Sequence, residues 1–197
     1  MHLRTLVLAT LALSTVALAQ DDFFQVRYAS NLNVGDSVIN ITNAGSLDGF
    51  DPAGRICVGV YTFDPAEELI SCCSCAVTPN ALVSLSARAD LISNTLTPGV
   101  PTSIVVKLLA RTTAGGCNAA SANTNFAPGM RAWGTTLHAL PTSPASYTVT
   151  ETEFSKAVLS GTEFQKITSY CGFIQANGSG YGLCRSCRSG GLGATKL

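Results

Sequence analysis

The chain has 197 residues, 12 Lys and Arg against 12 Asp and Glu, and eight cysteines. That balance gives no general attraction for nucleic acid or anionic membranes. Charged residues make up only 12%, below the roughly one quarter usual in globular proteins. Uncharged Ser, Thr, Asn and Gly therefore carry solubility, which suits an extracellular surface or a close-packed assembly.

The N-terminus reads as an export leader. Arg4 precedes an apolar run from Leu6 to Ala19 that ends Val16-Ala17-Leu18-Ala19-Gln20. Charge, then apolar run, then small residues is the order of a cleaved signal peptide. The run falls short of the roughly 20 apolar residues of a comfortable membrane span. The expected organisation is a signal peptide over 1–19 and a single secreted domain over 20–197, released to the periplasm, the cell surface or the medium.

Beyond the leader the pattern is mostly period two, the mark of half-buried strands. Phe24-Gln25-Val26-Arg27-Tyr28 alternates, Gly35-Asp36 turns, and Ser37 to Thr42 forms a second strand before Asn43-Ala44-Gly45. Asp48-Gly49 and Asp51-Pro52 are turn signals. Arg55 to Phe63 is a β-branched and aromatic strand broken by Asp64-Pro65, and Leu69 to Val77 is a strand carrying three cysteines. Leu82 to Ala87 alternates again, and Ser103 to Ala110 reads as a central strand. Residues 112–129, rich in Gly, Ala, Ser and Asn, form a long loop tied by Cys117. Strands are expected again from Met130 to Leu140 and from Ser146 to Phe154, separated by a turn at Pro141 and Pro144.

One helix is well signalled. Ser160-Gly161-Thr162-Glu163 matches a capping box. Phe164, Ile167, Cys171 and Ile174 follow at three- and four-residue spacing as one apolar stripe, and Asn177-Gly178 supplies the stop. Many short strands and one late helix give the expected fold class: mainly β, an antiparallel sandwich with a C-terminal helix and a disulfide-pinned tail.

Within this pattern, Asn33-Val-Gly-Asp-Ser-Val-Ile-Asn-Ile-Thr-Asn43 resembles an early strand of immunoglobulin-like bacterial surface domains. Tyr61-Thr-Phe-Asp-Pro65, Ser71-Cys-Cys-Ser-Cys75 and Cys171 to Gly178 resemble stretches of uncharacterised secreted proteins from acidobacteria-like soil bacteria. The resemblance implies an immunoglobulin-like sandwich and export, and it implies no activity.

Cysteines 57, 72, 73, 75, 117, 171, 184 and 187 make an even set, which in an exported chain implies up to four bridges. Spacing alone leaves their connectivity open. Cys72 and Cys73 do not pair with each other, because neighbours in a strand point to opposite faces; one is expected to face the core and the other not. Cys171, on the helix stripe, calls for a partner beneath the helix. The rival reading is a four-thiolate zinc site from Cys72-x-x-Cys75 and Cys184-x-x-Cys187. Export and the wide separation of the two pairs favour bridges, so no metal or cofactor is expected.

Catalytic signals are thin. Past the leader, His138 is the only histidine, and no Gly-x-Ser-x-Gly elbow accompanies it. Glu151 and Glu153 share one strand face, the disposition a carboxylate pair needs for acid–base work on glycosides. Asp48, Asp51 and Asp64 sit in turns, where aspartate is common without calcium. The leading expectation is thus a non-enzymatic extracellular structural or interaction protein. Its partners would be copies of itself or cell-surface components, with the strand over 23–31 pairing with a neighbouring subunit. The alternatives are a secreted hydrolase using His138 or Glu151 and Glu153, and a carbohydrate-binding module presenting Trp133 and tyrosines.

Overall fold

The computed structural model describes residues 22–47, 53–140, 143–178 and 182–188. The expected leader, the turn signals at 48–52 and Pro141 lie outside them. Two sheets form the body. One has six strands, in the order β10 (Gly182–Leu183), β4 (Leu69–Val77), β3 (Ile56–Phe63), β6 (Ile104–Thr112), β1 (Phe24–Ala29) and β9 (Ser155–Lys156). The other has four, in the order β5 (Leu82–Ser86), β2 (Val38–Asn43), β7 (Met130–Leu140) and β8 (Ser143–Glu153). Pairing is antiparallel throughout except for β10 on β4.

The protein is mainly β, as its alternation predicts, with helix α1 (Gly161–Ala176) near the C-terminus. Alternation holds in β2 and β5, where every second residue is buried. It fails in β3 and β4, which are buried along their whole length, because the six-stranded sheet is covered on both faces. Ile39, Ile41, Val83 and Leu85 of one sheet meet Val58, Val60, Ile104 and Val106 of the other in the main core. A second core lies on the opposite face, where Phe164, Ile167, Cys171 and Ile174 of α1 pack on Tyr61, Phe63, Cys72 and Leu109. The molecule is therefore three layers deep: sheet, sheet and helix.

This layering corrects the expectation for Cys72 and Cys73. The two do point to opposite faces, yet both are buried, Cys72 under the helix and Cys73 between the sheets. The eight cysteines pair as Cys57–Cys117, Cys72–Cys171, Cys73–Cys184 and Cys75–Cys187. Three of the four bridges thus fan out from β4. Cys72 holds the helix layer. Cys73 and Cys75 hold the tail with α2 (Arg185–Arg188) from the other face. The fourth bridge ties the long loop over 113–129 to β3.

The helix begins where its sequence says, with the Ser160 side chain accepting from the Glu163 N–H. The reciprocal half of the capping box is replaced: the Glu163 carboxylate pairs with Lys107 of β6, fastening the first helical turn to the sheet. Strand β1 also departs from expectation. It is held along its whole length by β6, and β9 covers Gln25 and Val26 on its other side. The segment over 23–31 is an internal strand of its own sheet and is not offered whole to a neighbour.

Candidate functional site

A groove of about 570 Å³ opens where the two sheets part. Its origin is a strand that changes sheets. β8 leaves the four-stranded sheet at Glu153, the Phe154 side chain dives into the main core, and Ser155 then pairs with Val26 in the six-stranded sheet. Past Val26, β1 and β8 splay apart. Arg27 and Tyr28 line one wall of the gap, and Thr136, His138, Thr150 and Thr152 line the other.

Arg27 spans the gap. Its Nη1 donates to the Thr152 carbonyl at 3.2 Å and to Thr152 Oγ1 at 2.9 Å, and Nη2 donates to Thr136 Oγ1 at 2.8 Å. The guanidinium carbon lies 6.0 Å from the centre of the Phe154 ring. Gly134 makes this path possible: a Cβ there would lie 2.4 Å from Arg27 Nε. Burial lowers the Arg27 pKa below its ordinary value, and nearby Glu151 acts in the opposite direction. The result is a cation held by neutral oxygens at the floor of a hydroxyl-lined groove.

The catalytic candidates are placed near one another but not combined. His138 Nε2 lies 2.8 Å from Thr150 Oγ1 on the neighbouring strand. That contact joins a base to a hydroxyl, without, among the described residues, the carboxylate that orients histidine in a triad. Glu151 accepts from Asn40 Nδ2 at 2.9 Å, and Glu153 pairs with Arg131 at 3.3 Å. Both acids are exposed. Each is engaged by its own polar neighbour, an arrangement that serves sheet cohesion. Trp133 belongs to the outward set of β7, between the inward Ala132 and Gly134, and is half-buried. It is thus separated from the tyrosine of the groove, Tyr28.

The thiolate reading fails on strand geometry. Residues 72 and 75 are three apart on a strand, so they face opposite sides, and Cys72 bonds to Cys171 of the helix. The sulfurs of Cys75, Cys184 and Cys187 do gather within 4.8 Å of one another, but each is already in a bridge. A disulfide sulfur has no thiolate charge to give a metal. Asp64 spends its Oδ1 on the N–H groups of Ala66 and Glu68, each at 2.9 Å, as a turn aspartate does. Asp48 and Asp51 lie outside the described residues.

Comparison with known proteins finds no matching family model, no similar curated protein and no similar solved structure. The functional reading therefore rests on this geometry. Among the described residues no helix is long and apolar enough to cross a membrane.

The sequence draws attention to His138 and Glu153, both of which line the groove, and misses its organising residue. Arg27 looks like an ordinary solvent-facing position in an alternating strand. Its one signal is the period-two threonine run Thr148, Thr150, Thr152, which offers a row of hydroxyls on one strand face.

Proposed function

We propose that this chain is an exported, non-enzymatic interaction module of the cell exterior. Its leader is removed after Ala19, and it works by presenting β surfaces that its bridges hold rigid. The observation that carries this reading is the use of the cysteines: all eight are consumed in four bridges, seven of them buried and Cys117 half-buried. Such a set is characteristic of an oxidising compartment. The groups with catalytic potential support the same reading. His138, Glu151 and Glu153 are each engaged by a neighbouring polar side chain, and none is coupled to a second member of a catalytic set.

The test is expression with the leader intact, followed by intact-mass measurement of the exported protein. The expected product begins at Gln20 and is eight hydrogens lighter than its reduced form. Retention of the leader inside the cell, or free thiols in the exported product, overturns the export reading. A hydrolytic activity on ester or glycoside substrates that His138→Ala abolishes overturns the non-enzymatic part.

A further inference from the structure

Among the described residues, strand β8 presents a long uncovered edge over residues 147–153. Among the described residues its only strand partner is β7, and every residue from 147 to 153 is exposed. The other sheet edges are short or covered. β9 and β10 have two residues each, and α2 packs against β5.

The direction of the free hydrogen-bonding groups follows from the register. Trp133 is opposite Glu153, and the Phe154 N–H donates to the Ala132 carbonyl at 2.8 Å. In an antiparallel ladder, bonded and non-bonded pairs alternate. Thr152, Thr150 and Thr148 therefore exchange main-chain bonds with Gly134, Thr136 and His138. Val149 and Glu151 turn their N–H and C=O groups outward, away from β7.

Natural monomers guard such an edge with lysine, proline or a bulge. Residues 147–153, Tyr-Thr-Val-Thr-Glu-Thr-Glu, contain no lysine and no proline; Pro144 of β8 and the irregularity in the ladder both precede them, between Ser143 and Tyr147. The two glutamates are poor guards, because Asn40 and Arg131 already engage them on the sheet face.

We infer that β8 pairs edge to edge with β8 of a second copy, joining two four-stranded sheets into one of eight strands. The inference rests on the interaction-module reading and names its partner. Self-complementarity selects a second copy as the occupant. With the two-fold axis at Thr150, Val149 of each chain faces Glu151 of the other, and Tyr147 faces Glu153. The outward main-chain groups then meet one another, and no glutamate stands directly opposite a glutamate. Thr150 lies opposite its own symmetry mate in a non-hydrogen-bonded pair, where Cα atoms approach to roughly 4.5 Å, within disulfide reach.

Two experiments on the oxidised protein test this. Sedimentation over a broad micromolar range should give a dimer. Val149→Pro removes one outward N–H from each chain and leaves the β7–β8 ladder whole, so it should weaken association by roughly tenfold or more while the unfolding midpoint of the dilute, dissociated chain holds. Thr150→Cys should cross-link into a covalent dimer on mild oxidation. Thr148→Cys, which faces Thr152 of the other copy, should not. A wild-type monomer throughout the range, a dimer indifferent to Val149→Pro, or equal cross-linking of both cysteine variants overturns the inference. None of these outcomes touches the export reading, which the mass measurement decides separately.

Discussion

Tyr61 is where single-residue physics is most exposed in this fold. Its ring is fully buried beneath the helix layer, and its hydroxyl donates to the Ala119 carbonyl at 2.7 Å. Gly59, two residues away on the same face of β3, is small because it must be. A Cβ there would sit 2.9 Å from the Tyr61 oxygen and 3.1 Å from a ring carbon. Gly59→Ala should therefore cost about 1–3 kcal/mol by overpacking, read as a lower urea midpoint. Burial raises the Tyr61 pKa from 10.0 to about 12, with Arg111 pulling the other way. Folding thus favours the protonated phenol. Its contribution is whole below pH 10 and is lost as the pH climbs from 10 to about 12. Urea midpoints taken below pH 10 and again near pH 12 should show this loss, and Tyr61→Phe should flatten it. Arg111 itself is 2% exposed, and its guanidinium donates to the carbonyls of Ser121, Asn118 and Ala119. With Cys57–Cys117 beside it, this buried cation fixes the long loop. Arg111→Leu would take one donor from each of three carbonyls, leaving Ala119 its Tyr61 hydroxyl and Asn118 the Ser121 N–H. It should destabilise by roughly 3 kcal/mol or more and expose the loop to proteases, readable as new cleavage within 113–126.

At the scale of elements, helix α1 depends on covalent as much as apolar attachment. Its buried stripe is four apolar residues and Thr168, and Cys72–Cys171 closes a sequence separation of 99. Replacing both cysteines by serine should cost about 2–5 kcal/mol. Amide exchange should rise in α1 well before it rises in β3, because the sheet core does not rest on that bridge. Equal acceleration in both elements would mean that helix and sheet open together. The helix was legible in the sequence because capping residues and a 3.6-residue stripe are local signals. So were β2 and β5, whose alternation survives because only one face of their sheet is covered. The full burial of β3 and β4 was not legible as a second layer, since a continuous apolar strand does not say what lies on each side of it. The two-residue strands β9 and β10 exist only because β1 and β4 offer them an edge, and two residues carry no periodic signal. The groove shows the same limit. His138 and Glu153 could be named from residue type, but Arg27 became visible only when β8 crossed from one sheet to the other.

For the whole molecule, the uneven charge along the chain turns out to be complementary in space. Residues 91–150 contain no acid. Their three fixed cations find partners from elsewhere or from the backbone: Lys107 meets Glu163, Arg131 meets Asp22 and Glu153, and Arg111 is caged by carbonyls. A buried acid plays a matching part at the tail, where Asp90 accepts from Ser86 and from both the N–H and hydroxyl of Ser186. Beside it, two bridges run from β4 to Cys184 and Cys187. The tail is thereby pinned through sulfur and through hydrogen bonds at one place, and the cysteines are the framework on which both layers hang. Disulfide mapping of the oxidised protein under non-reducing conditions, with metal analysis of the same sample, tests this framework most directly. The expected peptides link Cys57 to Cys117, Cys72 to Cys171, Cys73 to Cys184 and Cys75 to Cys187, with no metal bound. A bridge within Cys72–Cys75 or within Cys184–Cys187, or zinc held by free thiols, would contradict it.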